Sequence, residues 1–210
     1  MDFSEMLHRR RAANFFDTGR ELPEETLRRL VEMAALAPSS FNLQPWNLIV
    51  LRDPADKARL RKLAWDQPKI TEAPVVCIVL ADKSGGAPGN PVYERNWAEM
   101  VATGKMTEDK RAWFEQATAS LYGRSPEAAT AFAVKNTAFF AMALMLSATS
   151  LGLDSHPMDG FDHDAVLAEF KIPDNYFVPL LLALGWLRPG VTLAPPKWRK
   201  SFEEITRRFD

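Results

Sequence analysis

The spacing of apolar residues changes along the chain, and each change predicts a switch between helix and strand. Helical spacing and capping signals predict helices over residues 3–13, 23–36, 54–64 and 127–151, the last ending at Gly152. Short apolar runs at 47–51, 74–82 and 178–187 predict buried strands. Because the run at 74–82 is apolar on both faces, we expect it in the centre of its sheet.

This alternation places the chain in the α/β or α+β class, with helices covering both faces of a central sheet. Residues 155–173 are predicted as a loop followed by a helix capped by Asp162. Glycine and proline mark residues 83–93 as a loop, and aromatic residues among charges predict a helical excursion at about 94–124. No repeat or linker divides the chain, so we interpret residues 1–210 as one domain ending in an extended arm.

The predicted long helix carries no charge from Asn136 to Leu153, a length that approaches a membrane span. Asparagine, serine and threonine side chains dilute its hydrophobicity, and no second segment of this kind exists. A helix buried on most sides is therefore favoured over a membrane helix. Its small residues would also allow close approach of a second helix or a second subunit.

Charge and cysteine usage narrow the function. The 26 basic and 27 acidic side chains balance, which argues against nucleic acid or a membrane surface as the partner. The single cysteine, Cys77, lies in a predicted buried strand, so a disulfide framework is excluded. The N-terminal residues lack the apolar core of a signal peptide. We therefore expect a cytoplasmic protein.

Several common catalytic motifs are absent from the sequence: GxGxxG, GxxxxGK[ST], GxSxG and HExxH. A divalent ion is one alternative, because imidazole and carboxylate groups occur together at His156, Asp159, Asp162, His163 and Asp164. These residues span a predicted loop and helix start, where aspartates are expected as caps, and they lack the usual ligand spacing. We therefore expect no metal site.

Two other features suit a small-molecule site. The stretch APSSFNLQPWNLIVL at 37–51 combines stiff prolines with hydroxyl and amide groups, although an ordinary helix-to-strand connection would have a similar composition. Cationic residues occur near both chain ends, and Lys197 and Arg199 point to the same side of an extended segment. Together with Arg10 and Arg11 they would suit a phosphate monoester, the alternative being solvated surface charges. Arg10 and Asn14 would share one helical face.

Four motifs make the chain resemble the FMN-dependent nitroreductase family over nearly its whole length. RRRAANFFD is similar to the family's first flavin-contact motif, and APSSFNLQPW is similar to its best-preserved signature. HPMDGFD resembles the loop that runs past the isoalloxazine, and PPKWR resembles the terminal phosphate-binding segment. The resemblance implies an α+β fold of three layers with a mostly antiparallel sheet, and a homodimer with two FMN sites at the interface.

Residue by residue, the resemblance implies a phosphate held by Arg10, Lys197 and Arg199, and a pyrimidine edge near Gln67 and Lys69. Gly160, which lacks a Cβ, would allow the backbone to approach the flavin ring closely. The second subunit would contribute the residues from Pro38 to Asn42. The full predicted FMN-contact set is Arg10, Arg11, Ala12, Asn14, Pro38, Ser39, Ser40, Asn42, Gln67, Lys69, Met158, Asp159, Gly160, Lys197 and Arg199. Ala12 and Asn14 depart from the family, which often has serine and a basic residue there.

The implied reaction is ping-pong transfer of hydride from NAD(P)H through the flavin to a nitroaromatic or a quinone. Lys69 would stabilise the negative charge of the reduced flavin. The predicted substrate cleft is lined by Phe41, Trp113, Phe114 and Tyr122. The alternatives are another chemistry on the same fold (enone reductase, dehalogenase or flavin reductase), a flavin-binding storage or regulatory protein, and a structural dimer module.

Overall fold

The computed structural model, which describes residues 2–209, contains a four-stranded antiparallel sheet in the order β1-β2-β4-β3. The strands are β1 (Trp46–Leu51), β2 (Val75–Asp82), β3 (Asp154–Met158) and β4 (Tyr176–Gly185). The helices are α1 (Phe3–Arg9), α2 (Glu24–Ala34), α3 (Pro54–Leu63), α4 (Lys69–Glu72), α5 (Pro91–Ala102), α6 (Arg111–Tyr122), α7 (Pro126–Ser150), α8 (His163–Glu169) and α9 (Phe202–Ile205). Short 3₁₀ turns occupy Ser40–Asn42 and Glu108–Lys110.

Strand β2 organises the core. It pairs with β1 on one side and β4 on the other, and all of its residues are buried. Because alternate residues of a strand point to opposite faces, Val76 and Ile78 enter one apolar cluster while Val75 and Cys77 enter another. The predicted central position of this strand and the predicted α+β class with helices on both faces of the sheet are confirmed.

Helix α7 covers one face of the sheet. Phe140, Leu144 and Ala148, spaced four residues apart, are buried in the same cluster as the β2 side chains Val75 and Cys77. By length and composition alone, α7 is also apolar enough to cross a membrane. Its packing on the sheet is that of a core helix, while Phe139 on another face of the helix is exposed.

The helical excursion has its own small core, formed by α5, α6 and the first half of α7. Tyr93, Trp97 and Phe114 are packed there, and Arg111 bonds Glu94 across the two helices. Helix α5 begins earlier than the sequence predicted. Asn90 caps it by accepting the Val92 N–H at 3.0 Å and Pro91 is its first residue, so the predicted loop at 83–93 ends at Asn90.

The start of the predicted loop, from residue 155, instead belongs to the edge strand β3. It pairs with β4 from Asp154 opposite Gly185 to Met158 opposite Leu181. Pro157 interrupts the apolar alternation that would signal a strand, and an edge position tolerates proline because one side of the strand needs no backbone donor. This correction moves the HPMDGFD motif from a free loop to the end of a sheet strand.

Helix α1 ends at Arg9, not at residue 13 as predicted. The next residues run alongside β3, where the Ala13 N–H donates to the Ser155 carbonyl at 3.0 Å. The predicted shared helical face of Arg10 and Asn14 is therefore wrong, since neither residue is helical. Helix α2 likewise ends two residues early and leaves Leu36 exposed.

Candidate functional site

Cations from both ends of the chain surround one cavity of about 220 Å³, which we call the cationic cavity. Arg10 and Arg11 reach it from the segment after α1, while Lys197 and Arg199 reach it from the C-terminal arm. Within residues 2–209, no carboxylate lies within salt-bridge distance of these four side chains. The predicted convergence of the two chain ends on one small cavity is therefore present in the folded chain.

The cavity is electrostatically suited to an anion. Burial lowers the pKa of Arg10, and the nearby positive charges of Arg199 and Arg11 lower it further. Mutual repulsion among unpaired cations is relieved when a multiply charged anion binds between them. A phosphate group has both the charge and the number of acceptor oxygens for this arrangement.

Backbone contacts with β3 hold the Arg10 segment in place. The Ala13 N–H donates to the Ser155 carbonyl, and the Ala13 carbonyl accepts a hydrogen bond from His156 Nδ1 at 2.9 Å. Since a carbonyl can only accept, this contact fixes the proton on Nδ1. Ala12 and Asn14 flank this contact, and both are exposed beside the cavity segment. Sequence reasoning missed this role of His156, which it considered only as a metal ligand.

His156 also lies within electrostatic range of two predicted cofactor residues. Burial lowers the pKa of His156, and the positive charges of Lys69 and Lys197 lower it as well, against the opposing effect of the hydrogen bond to Ala13. The charges of Lys69 and Lys197 therefore act on the same imidazole.

Gln67 and Lys69, which the resemblance placed at one edge of the flavin, lie together with Gly160 in a second polar edge. Gln67 Nε2 donates to the Gly160 carbonyl at 3.0 Å, and Lys69 Nζ donates to Gln67 Oε1 at 3.3 Å. Burial lowers the pKa of Lys69, while the Glu72 carboxylate opposes that shift. Residues 93 positions apart in sequence are thus joined by a single amide side chain.

Two expectations for the HPMDGFD segment change. A Cβ on Gly160 would lie 2.7 Å from Trp65 Cε3, so the indole of Trp65 already occupies the space that the missing Cβ leaves. Met158 is only 3% exposed and its side chain packs in the core, so only its backbone can face a ligand. Asp159, between them, is exposed.

The predicted signature APSSFNLQPW contains a tightly held turn, the Ser40 loop (residues 38–45). Phe41, Asn42 and Gln44 all have positive φ angles, which non-glycine residues rarely adopt. Two buried asparagines stabilise this backbone: Asn96 Nδ2 donates to the Phe41 carbonyl at 2.8 Å, and Asn136 Oδ1 accepts the Ser40 N–H at 2.9 Å. Neither asparagine was identified from the sequence.

The remaining polar atoms of the Ser40 loop are partly exposed. The Ser40 hydroxyl accepts a hydrogen bond from Lys135 Nζ at 3.2 Å, and the Ser39 hydroxyl accepts the Gln44 N–H at 3.0 Å. Pro38 and Asn42 are exposed. Behind the loop, Trp46 stacks on Phe140 with 5.3 Å between ring centroids. The loop thus presents polar atoms outwards from an apolar base.

Within residues 2–209, none of the residues that line the cationic cavity belongs to the Ser40 loop. The loop is bonded to Asn136, fourteen residues before the end of α7, which corresponds to about 21 Å of helix. The segment that carries Arg10 and Arg11 continues to Ala12, which forms a bridge with Ser155 of β3, the strand that follows α7 in the chain.

The predicted substrate aromatics lie in different environments. Phe41 contacts Phe114 edge to face, with the ring centroids 5.4 Å apart. The ring centroids of Phe41 and Tyr122 are 6.4 Å apart. Phe114 is completely buried between α5, α6 and α7, so its predicted place in the wall of an open cleft is wrong. Trp113 is 52% exposed and lines a separate cavity of about 450 Å³ with Met106.

Within residues 2–209, no group of three or more His, Cys, Asp or Glu side chains is arranged to hold a metal ion. The candidates considered from the sequence have other partners. His163 Nε2 accepts the Val178 N–H at 3.1 Å, and Asp162 accepts the Ala165 N–H at 3.0 Å as the cap of α8.

An antiparallel sheet between helical layers, with cations from both chain ends around one cavity, defines an α+β protein with a site suited to a phosphorylated ligand. The chain belongs to the nitroreductase family of oxidoreductases, whose family model matches residues 7–186. The resemblance to the nitroreductase family is thereby confirmed, although the PPKWR motif lies beyond the matched residues.

Individual relatives agree with this assignment. The chain is 32% identical over 185 residues to protein DrgA of Synechocystis, covering 88% of this chain and 84% of that protein. It is 34% identical over 165 residues to an NADH dehydrogenase of Thermus thermophilus, covering 79% of this chain and 77% of that protein. A protein from Exiguobacterium sibiricum, solved in complex with FMN, superimposes with a TM-score of 0.85 at 26% identity, covering all of this chain and 98% of that one.

Proposed function

We propose that this protein is an FMN-dependent NAD(P)H oxidoreductase that reduces nitroaromatics or quinones. The observation that carries the proposal is the cationic cavity, in which Arg10, Arg11, Lys197 and Arg199 converge without carboxylate partners among residues 2–209. An FMN phosphate would supply the missing negative charge. The relative solved with FMN and the relative named NADH dehydrogenase support the cofactor and the electron donor.

The second polar edge also fits the cofactor. Gln67, Lys69 and the Gly160 backbone offer an amide, a cation and a polar main chain at one edge, as a flavin pyrimidine ring requires. The positive charges of Lys69, at this edge, and of Lys197, at the cationic cavity, both lower the pKa of His156. The residues present therefore suit one elongated, phosphorylated ligand.

We further propose a homodimer in which the Ser40 loop of a second copy completes each site. The proposal is supported by the lining of the cationic cavity, to which the Ser40 loop contributes no residue within residues 2–209. It is also supported by the apolar side chains that one chain leaves exposed on α1, α7 and the C-terminal arm. These include Phe3, Leu7, Phe139, Met142, Trp198 and Phe202.

FMN, when bound, supplies hydride transfer between the nicotinamide and the acceptor. The side chains of the protein would then bind FMN and adjust how readily it is reduced. Arg10, Lys197 and Arg199 would hold the phosphate, and Lys69 would place positive charge at the pyrimidine edge, where reduction adds negative charge. The lowered pKa of Lys69 follows from its partial burial, which strengthens the interaction of its ammonium group with a nearby anion.

The test is the visible spectrum of the purified protein before and after addition of NADH or NADPH without oxygen. We expect a yellow protein that is bleached by the nicotinamide and recovers its colour when a nitroaromatic or a quinone is added. Protein that neither contains FMN nor takes it up would refute the proposal. Protein that binds FMN but is not reduced by either nicotinamide would instead indicate a storage or regulatory role.

A further inference from the structure

Trp65 is the most exposed tryptophan of the chain, with 79% of its surface accessible. Trp46 stacks on Phe140, Trp97 packs on Phe114, and Trp186 lies under Arg20. Among residues 2–209, Trp65 has no such aromatic or cationic partner. Apart from its position beside Gly160, this large apolar ring is thus exposed to solvent.

The turn that carries Trp65 is strained and clamped. Trp65 and Asp66 have φ angles of +51° and +50°, two successive non-glycine residues in the left-handed region. Arg61 holds this turn from α3: its Nε donates to Asp66 Oδ1 at 2.7 Å, and its carbonyl accepts the Asp66 N–H at 3.1 Å. These contacts fix the direction in which the backbone presents the indole.

The indole lies directly against the polar edge of the proposed FMN site. Three atoms of its six-membered ring, Cε3, Cζ3 and Cδ2, would lie 2.7–3.2 Å from a Cβ on Gly160. The Gly160 carbonyl is bonded to Gln67, which is in turn bonded to Lys69. Trp65 therefore extends this edge outwards with an apolar, planar surface.

We propose that Trp65 is a specificity-determining residue that stacks against planar aromatic electron acceptors at the Gly160 edge. This inference rests on the proposed function, because it places the acceptor beside a flavin bound at Gln67, Lys69 and Gly160. An indole offers a wide, rigid π surface, and aromatic rings attract one another beyond the effect of buried area alone. The clamped turn reduces the entropy lost when an acceptor binds.

A second explanation is that Trp65 only shields the Gly160 backbone from water. The two explanations predict different behaviour for side chains of similar bulk. Shielding needs an apolar group of the right size, which leucine supplies. Stacking needs an aromatic ring, which phenylalanine keeps and leucine lacks. Because Trp65 is exposed, neither substitution is expected to prevent folding.

The experiment compares FMN-loaded wild type with Trp65→Phe and Trp65→Leu. Two acceptors are used at saturating NADH: 2-methyl-1,4-naphthoquinone, which is planar, and ferricyanide, which has no aromatic face. For Trp65→Leu we expect kcat/KM with the quinone to fall roughly three- to tenfold through KM, with ferricyanide unchanged. Trp65→Phe should retain most of the quinone activity. Calorimetric titration of the oxidised protein with the quinone should show the same loss of affinity.

Equal quinone activity in Trp65→Leu and wild type would overturn the inference, as would a loss that is the same for both acceptors. These outcomes are separate from failure of the proposed function, in which wild type itself would not bind FMN or oxidise NADH.

Discussion

The side chain of Asn136 fixes the start of the Ser40 loop. Its Oδ1 accepts the Ser40 N–H at 2.9 Å, while its Nδ2 donates to the Phe132 carbonyl at 2.7 Å within α7. Asn136 is fully buried, so these bonds form away from water and are costly to leave unmade. A helix that packs on the sheet thereby determines where the polar atoms of the loop are presented.

We expect Asn136→Ala to destabilise the protein by about 1–3 kcal/mol, because it leaves the Ser40 N–H and the Phe132 carbonyl without their side-chain partner. For a chain of this size the melting temperature should fall by roughly 2–4 °C per kcal/mol. Thermal and urea unfolding measure the effect. Ser120→Ala removes an exposed bond to the Ala117 carbonyl and is the control, with a change within about 0.5 kcal/mol. Equal loss in both variants would contradict this role of Asn136.

The second prediction concerns the cationic cavity. Replacing Lys197 and Arg199 together by alanine removes two of its four cations, and charge-assisted hydrogen bonds contribute roughly 1.5–3 kcal/mol each, less where they are open to solvent. We expect the Kd for FMN to rise about ten- to hundredfold, measured by quenching of flavin fluorescence. The control is Arg28→Ala with Arg29→Ala, since both arginines are exposed on α2. The same loss of affinity in the control pair would show that the FMN phosphate does not bind in the cationic cavity.

Much of the fold followed from local sequence patterns. The continuous apolar run of β2, the Asp53 cap of α3 and the end of α7 before Gly152 each depend on neighbouring residues, so they could be predicted. Strand β3 could not, because its pairing with β4 is non-local and Pro157 hides its pattern. Helix α1 ended early for the same kind of reason, since Ala13 bonds to a strand more than 140 residues away.

The site was predictable only where residue type alone carries the information. The positive charges near the two chain ends predicted a phosphate site from residue type, and the four side chains line one cavity. The residues that support the site could not be identified from residue type. Asn96, Asn136 and His156 act through backbone groups distant in sequence, and Gly160 is small because of Trp65. Residue type also does not show that Lys57 is buried, with its ammonium group donating to the Ala73 carbonyl.

The third prediction is a pH dependence of stability that arises from His156. Its pKa in the folded protein is lowered, mainly by burial, from the ordinary value of 6.5. The unfolded chain therefore binds a proton first as the pH falls. The contribution of His156 to the free energy of unfolding is complete above about pH 6.5. It is lost as the pH falls towards the pKa of the folded protein, by at most about 1.4 kcal/mol per pH unit.

Urea unfolding of the FMN-free protein at pH 7.5 and 5.5 measures this dependence. His156→Gln keeps a side-chain donor for the Ala13 carbonyl but does not titrate, so it should lose less stability than wild type over this range. His8→Gln changes an exposed histidine and serves as the control. If His156→Gln and wild type lose the same stability, the burial of His156 does not govern the acid sensitivity.

The last prediction concerns the contact between Gly160 and Trp65. Gly160 does not have a positive φ angle, so alanine is compatible with its backbone, and only the indole opposes an added Cβ. We expect Gly160→Ala to cost about 1 kcal/mol or more in wild type, because it forces the indole or the strand end to shift. In a Trp65→Ala background the same change should cost little, since the obstructing ring atoms are gone. A double-mutant cycle in urea measures this coupling, and additive effects of the two substitutions would show that the indole does not occupy the space beside Gly160 in solution.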